Sequence, residues 1–116
     1  MTLVDTSVWV QHLRHGNRDL RSLLEKEDVL CHPLIIGELA CGSITNRNEV
    51  LDLLQALPVA LTAEHHEVMH FLHEQRLYGR GLGWIDLHLL TSVSLSKASL
   101  WTNDRALKKA LEGMVK

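Results

Sequence analysis

A chain of 116 residues is long enough for one real core and too short for two, so residues 1–116 are read as a single domain. Hydrophobic residues make up 46% and charged residues 22%, a balance that excludes a disordered tail and requires folding by burial of apolar surface. Lys and Arg number 12 and Asp and Glu 14, a net charge of -2; this excludes a globally basic surface and leaves any polyanion to be recruited locally.

The first β-type run is Thr2 to Val4, followed at once by Asp5-Thr6-Ser7. Asn17 is placed to cap a helix carrying Leu20, Leu23 and Leu24. A second β-type run, Val29 to Cys31, leads to Pro33, which suits the first turn of a helix ended by Gly42. Asn46 caps the next helix, with Val50, Leu53, Leu54 and Leu57 inward and Pro58 as its stop. Val59 to Leu61 is a third β-type run, and Thr62 opens a helix with Val68, Met69 and Leu72 inward. Gly79-Arg80-Gly81-Leu82-Gly83 reads as a loop rather than a domain boundary, and a fifth helix starts after it. Ser99 to Trp101 is the fourth run, and Leu107, Ala110, Leu111 and Met114 form the stripe of the last helix. Short β-type runs alternating with helices predict an α/β fold, a parallel sheet of four strands with helices on its faces.

Cys31 and Cys41 are the only cysteines, each in an apolar segment, and the chain opens on a strand instead of a charged and then apolar leader. The expectation is a reduced, cytoplasmic protein. No apolar run approaches the ~18 residues of a membrane helix.

Two carboxylates stand where apolar residues belong. On a helix, Glu38 has Leu34, Ile35, Cys41 and Gly42 as its three- and four-residue neighbours, and Asp86 has Leu89, Leu90 and Val93. An unpaired ion in low dielectric is heavily penalised, so each must be protonated, paired with a cation or placed at a wet cleft. A salt bridge to a neighbouring Arg, or a register shifted by one residue, accounts equally well for either taken alone. Two further carboxylates, Asp5 and Asp104, follow the first and fourth β-type runs, the edge of an open parallel sheet where ligands bind. Taken singly, each is also a good helix N-cap. Capping does not explain the coincidence of two carboxylates at strand ends with two on apolar helix faces, whereas one acidic pocket explains all four. All-oxygen ligation suits a hard divalent ion, Mg²⁺ or Mn²⁺, and the chemistry such an ion supports is phosphodiester hydrolysis.

With these residues in place, the chain resembles the PIN-domain ribonucleases, and among them the VapC toxins of bacterial toxin–antitoxin pairs. The resemblance rests on Leu3-Val4-Asp5-Thr6-Ser7-Val8-Trp9, Gly37-Glu38-Leu39, Gly83-Trp84-Ile85-Asp86-Leu87 and Trp101-Thr102-Asn103-Asp104, in that order, from Met1 to about Leu111. No one motif is specific; the ordered set is. It implies a three-layer fold around a short parallel sheet of four strands, five if an edge strand follows the last helix, although no apolar β-type run stands there. It further implies that Asp5 and Asp86 are the main Mg²⁺ ligands and that Asp104 completes the shell directly or through water. Glu38 would order or deprotonate the attacking water, and Thr102 would support the site by hydrogen bonding. The substrate implied is RNA, cut to a 3′-hydroxyl and a 5′-phosphate. The partners implied are an antitoxin whose tail occludes the cleft and a second copy in a homodimer.

His66-Glu67-Val68-Met69-His70 offers a competing chemistry, because His66 and His70 would share a helix face as zinc ligands with Glu67 as base. The longer metallopeptidase pattern fails at His73 and Arg76, and in a chain with 8 histidines the segment fits better as an amphipathic helix with Val68, Met69 and Leu72 inward and histidines on its sides. A non-catalytic alternative is a receiver-like or RNA-binding module; the middle strands, ending Cys31-His32 and Leu61-Thr62, lack the aspartate a receiver needs. His32 and His88 read as partly buried or surface histidines. Arg80, between glycines that let a backbone approach a phosphate, is a candidate RNA contact, and equally a solvated loop charge.

Overall fold

The computed structural model describes residues 1–114. Along the chain it forms β1 (Thr2–Val4), α1 (Thr6–His15), α2 (Arg18–Glu25), β2 (Val29–Leu30), α3 (Pro33–Ala40), α4 (Arg47–Gln55), α5 (His65–Glu74), α6 (Trp84–Ser96), β3 (Ser99–Trp101) and α7 (Arg105–Gly113). The sheet is parallel with order β2-β1-β3. Leu3 lies opposite Leu30 on one side and Leu100 on the other. Successive strand residues point to opposite faces, and both Leu3 and Val4 are fully buried. Helices therefore cover the sheet on both sides, as the alternating pattern predicts.

Among the described residues the sheet has three strands, not the four or five expected. The run Val59 to Leu61 contributes only a bridge between Cys31 and Val59, with Cys31 N donating to Pro58 O at 2.8 Å and Ala60 N to Cys31 O at 2.9 Å. The pairing cannot grow. Pro58 has no N–H to add, Leu61 N is taken by Ser96 Oγ at 2.9 Å, and β2 is cut short because His32 leaves it to cap α3 ahead of Pro33. No strand follows α7 among the described residues; Val115 and Lys116, where a fifth strand would begin, lie outside them.

α1 follows from the N-cap reading of Asp5: the cap turns the chain at the end of β1, and Val8 and Trp9 enter the core. Gly16, at φ 77°, ends that helix. Asn17 caps α2 as expected, its Oδ1 accepting from Leu20 N at 3.0 Å. Asn46 instead takes a left-handed conformation and makes no side-chain cap. With that start α4 buries Leu54 and leaves Leu53, one step of 100° around the helix, 64% exposed. α5 starts at His65 rather than Thr62, because Glu67 reaches back to accept from Glu64 N at 2.9 Å.

α6 is apolar almost all round because it serves two cores. Leu89 and Val93 join the cluster of Leu3, Val8, Ile35 and Leu39, whereas Leu87 and Leu90 join that of Val68, Leu77, Leu107 and Ala110. Its first turn, with Asp86, is fixed from both sides. No helix among the described residues is long and apolar enough to cross a membrane, and both cysteines are free.

His32 is 2% exposed, and its Nδ1 accepts from Leu34 N at 3.0 Å. Burial first, and then nearby His88, lower its imidazole to about 4 from the ordinary 6.5. The unfolded chain takes up its proton near 6.5 and the folded chain near 4, so stability is complete above that window and is lost as pH falls through it. The loss should reach about 3 kcal/mol below pH 4. Urea titrations at pH 7 and pH 4 should show this loss in the wild type, and His32→Asn, which keeps a capping acceptor, should flatten it.

Candidate active site

The carboxyl ends of β1 and β3 bring Asp5 and Thr102 together. Asp5 N donates to Trp101 O at 2.9 Å, extending the ladder by one bond. The buried Asp5 carboxylate then accepts from Thr6 N at 2.7 Å on Oδ1, and from Thr102 Oγ1 at 2.6 Å and Ser7 Oγ at 3.0 Å on Oδ2. Both hydroxyls are themselves positioned. Thr102 Oγ1 accepts from Asp104 N and Ser7 Oγ from Asn103 N, each at 3.0 Å. Asp5 and Asp104 are helix N-caps after all, Asp104 Oδ1 accepting from Leu107 N at 3.0 Å. Capping uses one oxygen of Asp104 and leaves Oδ2 without a hydrogen-bond partner among the described residues. The two readings of these aspartates are compatible.

Asp86 approaches from α6. Its Oδ2 accepts from Gly83 N at 2.9 Å, which fixes the carboxylate over the first turn and leaves Oδ1 open. Burial raises its pKa above the ordinary carboxylate range; the Gly83 N–H opposes this, and the charges of Asp104 and Asp5 push it further up. That Asp104 and Asp5 act on Asp86 places the three carboxylates in one neighbourhood.

Glu38 corrects an expectation: it is an exposed residue of α3, not one on a buried apolar face. The helix core is carried by Ile35 and Leu39, and Glu38 leaves on the side facing α1. There Thr6 Oγ1 donates to its Oε1 at 2.7 Å. Because Thr6 follows Asp5 directly, this bond joins Glu38 to the strand-end cluster, and Oε2 stays free. The same side of Glu38 opens on a groove of about 500 Å³ lined by Thr6, Val10, Leu13, Arg14, His15 and the turn Gly42 to Thr45.

None of the four carboxylates forms an ion pair among the described residues; the pairs there are Met1 with Asp28, His66 with Glu64 and His70 with Glu74. The salt-bridge explanation of Glu38 and Asp86 therefore fails. Three open carboxylate oxygens and hydroxyl-supported Asp5 are hard donors whose charge suits a divalent cation. No three His, Cys, Asp or Glu side chains among the described residues are drawn close enough to form a ready-made cage; like charges hold one another apart. The donor set fits a cation held by few ligands with positions left for water and phosphate, not a closed structural site.

Thr6 and Ser7, placed here by the structure, stand in the sequence within a cap motif and the first motif of the resemblance, with no role assigned to either. The histidine motif on α5 has other occupations. His66 and His70 bridge exposed Glu64 and Glu74 at 3.5 and 2.8 Å, and Glu67 caps the helix. Nothing supports a zinc peptidase. Arg80 lies beside Gly113 and lines a groove with Lys109 and Ala110 of α7.

The sequence pattern of the PIN domain family matches residues 2–112. Two curated relatives, each called Ribonuclease VapC32 and found in Mycobacterium tuberculosis strains CDC 1551 / Oshkosh and ATCC 25618 / H37Rv, are 50% identical over 111 residues. The similarity covers 95% of this chain and 90% of each relative. With a parallel sheet whose carboxyl edge gathers Asp5, Asp86 and Asp104, the chain belongs to the PIN-domain family and is VapC-like.

Proposed function

We propose that this protein is a divalent-metal-dependent endoribonuclease and the toxin of a toxin–antitoxin pair. The observation that carries the reading is the meeting of Asp5, Asp86 and Asp104, without any basic partner, at the carboxyl edge of the sheet. Half identity to Ribonuclease VapC32 over nearly the whole chain supports both the substrate class and the toxin assignment. A cognate antitoxin, a homodimeric state and a cytoplasmic location belong to the same proposal.

A Mg²⁺ or Mn²⁺ ion at this site supplies Lewis-acid stabilisation of the phosphodiester and lowers the pKa of water. Asp5 and Asp86 would hold such an ion, with Asp104 as the further carboxylate that would complete its ligands. Thr102 and Ser7 hold Asp5 in one rotamer, the supporting role that fixes ligand geometry. Glu38, oriented by Thr6, accepts a proton from the attacking water. The new P–O bond forms from that water, the P–O3′ bond breaks, the departing 3′ oxygen takes a proton from solvent while Glu38 returns its own to solvent, and the products are a 3′-hydroxyl and a 5′-phosphate. Arg80 and Lys109 supply phosphate contacts away from the acidic centre.

EDTA should stop cleavage of single-stranded RNA, and Asp5→Asn or Asp86→Asn should reduce it to background in protein that circular dichroism shows to be folded. Glu38→Gln should retain metal affinity by calorimetry while losing roughly 100- to 10,000-fold in rate. Thr102→Val should cost roughly 10- to 100-fold, with Thr102→Ser close to wild type. Undiminished cleavage in EDTA would sink the metal mechanism.

In EDTA, Asp86→Asn should raise the melting temperature at pH 7. A raised folded-state pKa means that the ionised carboxylate costs stability above that value and costs nothing once both states are protonated. The gain should therefore vanish below about pH 4. A third expectation concerns recruitment: Arg80→Ala should weaken RNA binding about equally across sequences and lower the salt slope by about 1, with metal affinity unchanged.

A further inference from the structure

Trp84 is the first residue of α6 and is 40% exposed. A tryptophan at a helix start has no need of the surface; the other two in the chain are tucked in, Trp9 at 4% exposure and Trp101 half-buried. The indole is held by two imidazoles. His65 packs at 5.1 Å between ring centroids with 44° between planes, and His88, one turn along α6, meets it edge-on at 5.0 Å and 87°. Two of the histidines thus have a common task, to fix the orientation of an aromatic surface that faces solvent. Ordering an exposed indole gains little by burial, which points to something that uses its face.

The position of this surface narrows what that is. Trp84 and Asp86 share the first turn of α6, with ~3 Å of helix rise between them. They leave it on different sides, because residues two apart do not face each other. Asp86 turns toward Asp5 and Asp104, and Trp84 toward His65 and His88. His88 is also near enough to act on buried His32, the residue that leaves the carboxyl end of β2 to cap α3. Neighbouring strands lie ~4.8 Å apart, so the β2 end, on the His88 side, adjoins the β1 end that carries Asp5. A strand crossing the start of α6 would meet the carboxylates and the indole in succession.

We infer that Trp84, buttressed by His65 and His88, is a stacking platform for one unpaired nucleobase next to the scissile phosphate. The inference rests on the ribonuclease reading. Single-stranded RNA is gripped by aromatic faces on which unstacked bases lie, a contact available to every base. Trp84 is then a positioning residue: it touches substrate away from the reacting atoms and fixes which phosphate reaches the carboxylates.

The test uses full-length wild type, Trp84→Ala and Trp84→Phe on a single-stranded oligonucleotide that the wild type cleaves, and on copies lacking one base at each position flanking the cut. Trp84→Ala should raise KM roughly tenfold with a much smaller change in kcat, and Trp84→Phe should recover most of the loss. Removing the base that stacks should cost the wild type about as much and should cost Trp84→Ala nothing further. In the Glu38→Gln background RNA should quench tryptophan fluorescence, and adding Trp84→Phe should abolish the quenching. An unchanged KM in folded Trp84→Ala, or base-removal losses that simply add to its own, would overturn the platform. Weakened self-association with RNA affinity intact would overturn it in favour of a protein contact. Wild type that neither binds nor cleaves RNA would remove the ribonuclease reading together with the platform, whereas a wild type that cleaves beside an indifferent Trp84→Ala removes the platform alone.

Discussion

The hydrogen bond from Thr102 Oγ1 to Asp5 Oδ2, 2.6 Å long and spanning 97 positions of sequence, is the contact on which both the fold and the site depend. It ties the end of β1 to the end of β3 where the backbone ladder stops, and it forms at the point where both strands turn into helices. A carboxylate with 6% exposure must be satisfied, and here the satisfaction is complete enough to fix its rotamer: one backbone N–H and two hydroxyls, each hydroxyl held in turn by a backbone amide from the segment that follows β3. Loss of Thr102 would leave a buried acceptor short of a donor and would also release Asp104 N. The same bonds that close the sheet edge aim the acidic groups.

Asp86 depends on a different constraint. Its carboxylate is held to Gly83 N, but the place of α6 itself is set by packing. Leu89 and Val93 lock one side of the helix and Leu87 and Leu90 the other. A helix wedged between two cores cannot rotate to expose its first turn or to relieve repulsion there, so the cost of burying the Asp86 carboxylate, and secondarily of placing it near Asp104 and Asp5, persists and appears as its raised pKa. Core packing thus stabilises a local arrangement that is itself unfavourable, which is how sites of concentrated charge survive in small domains.

Much of this was legible in the sequence. β1, the Val29 to Leu30 pairing and β3 follow from short apolar runs bounded by polar turns, and the Asn17 cap and Pro33 start follow from local rules. The elements that were misread depended on competition beyond local sequence. Val59 to Leu61 has strand composition, but the lengths of its neighbours decided that it makes a single bridge. Asn46 was expected to cap α4 but takes a left-handed conformation and makes no side-chain cap. The clustering of Asp5, Asp86 and Asp104 could be argued from strand ends and a carboxylate among leucines. Glu38 could not be placed by that logic: its helix neighbours are apolar, yet it is exposed, and only the Thr6 contact across 32 residues joins it to the cluster.

Charge distribution explains how so acidic a centre coexists with a polyanionic substrate. Setting aside the four site carboxylates leaves 10 acidic residues against 12 basic ones, so the rest of the molecule is slightly basic while the cleft is strongly negative. Screening confines each to its neighbourhood, since surface charges beyond about 8 Å act weakly at physiological salt. On the proposed reading, RNA would then be met by basic and aromatic groups outside the cleft. Approach of a phosphate to the carboxylates themselves is opposed by every one of their charges until a cation offsets them. Affinity for the ion and affinity for the reacting phosphate are consequently coupled: binding of either strengthens the other by the same factor. On the proposed ribonuclease reading, the acidic residues that make the metal-free site costly would therefore also restrict productive phosphate binding to the metal-loaded protein.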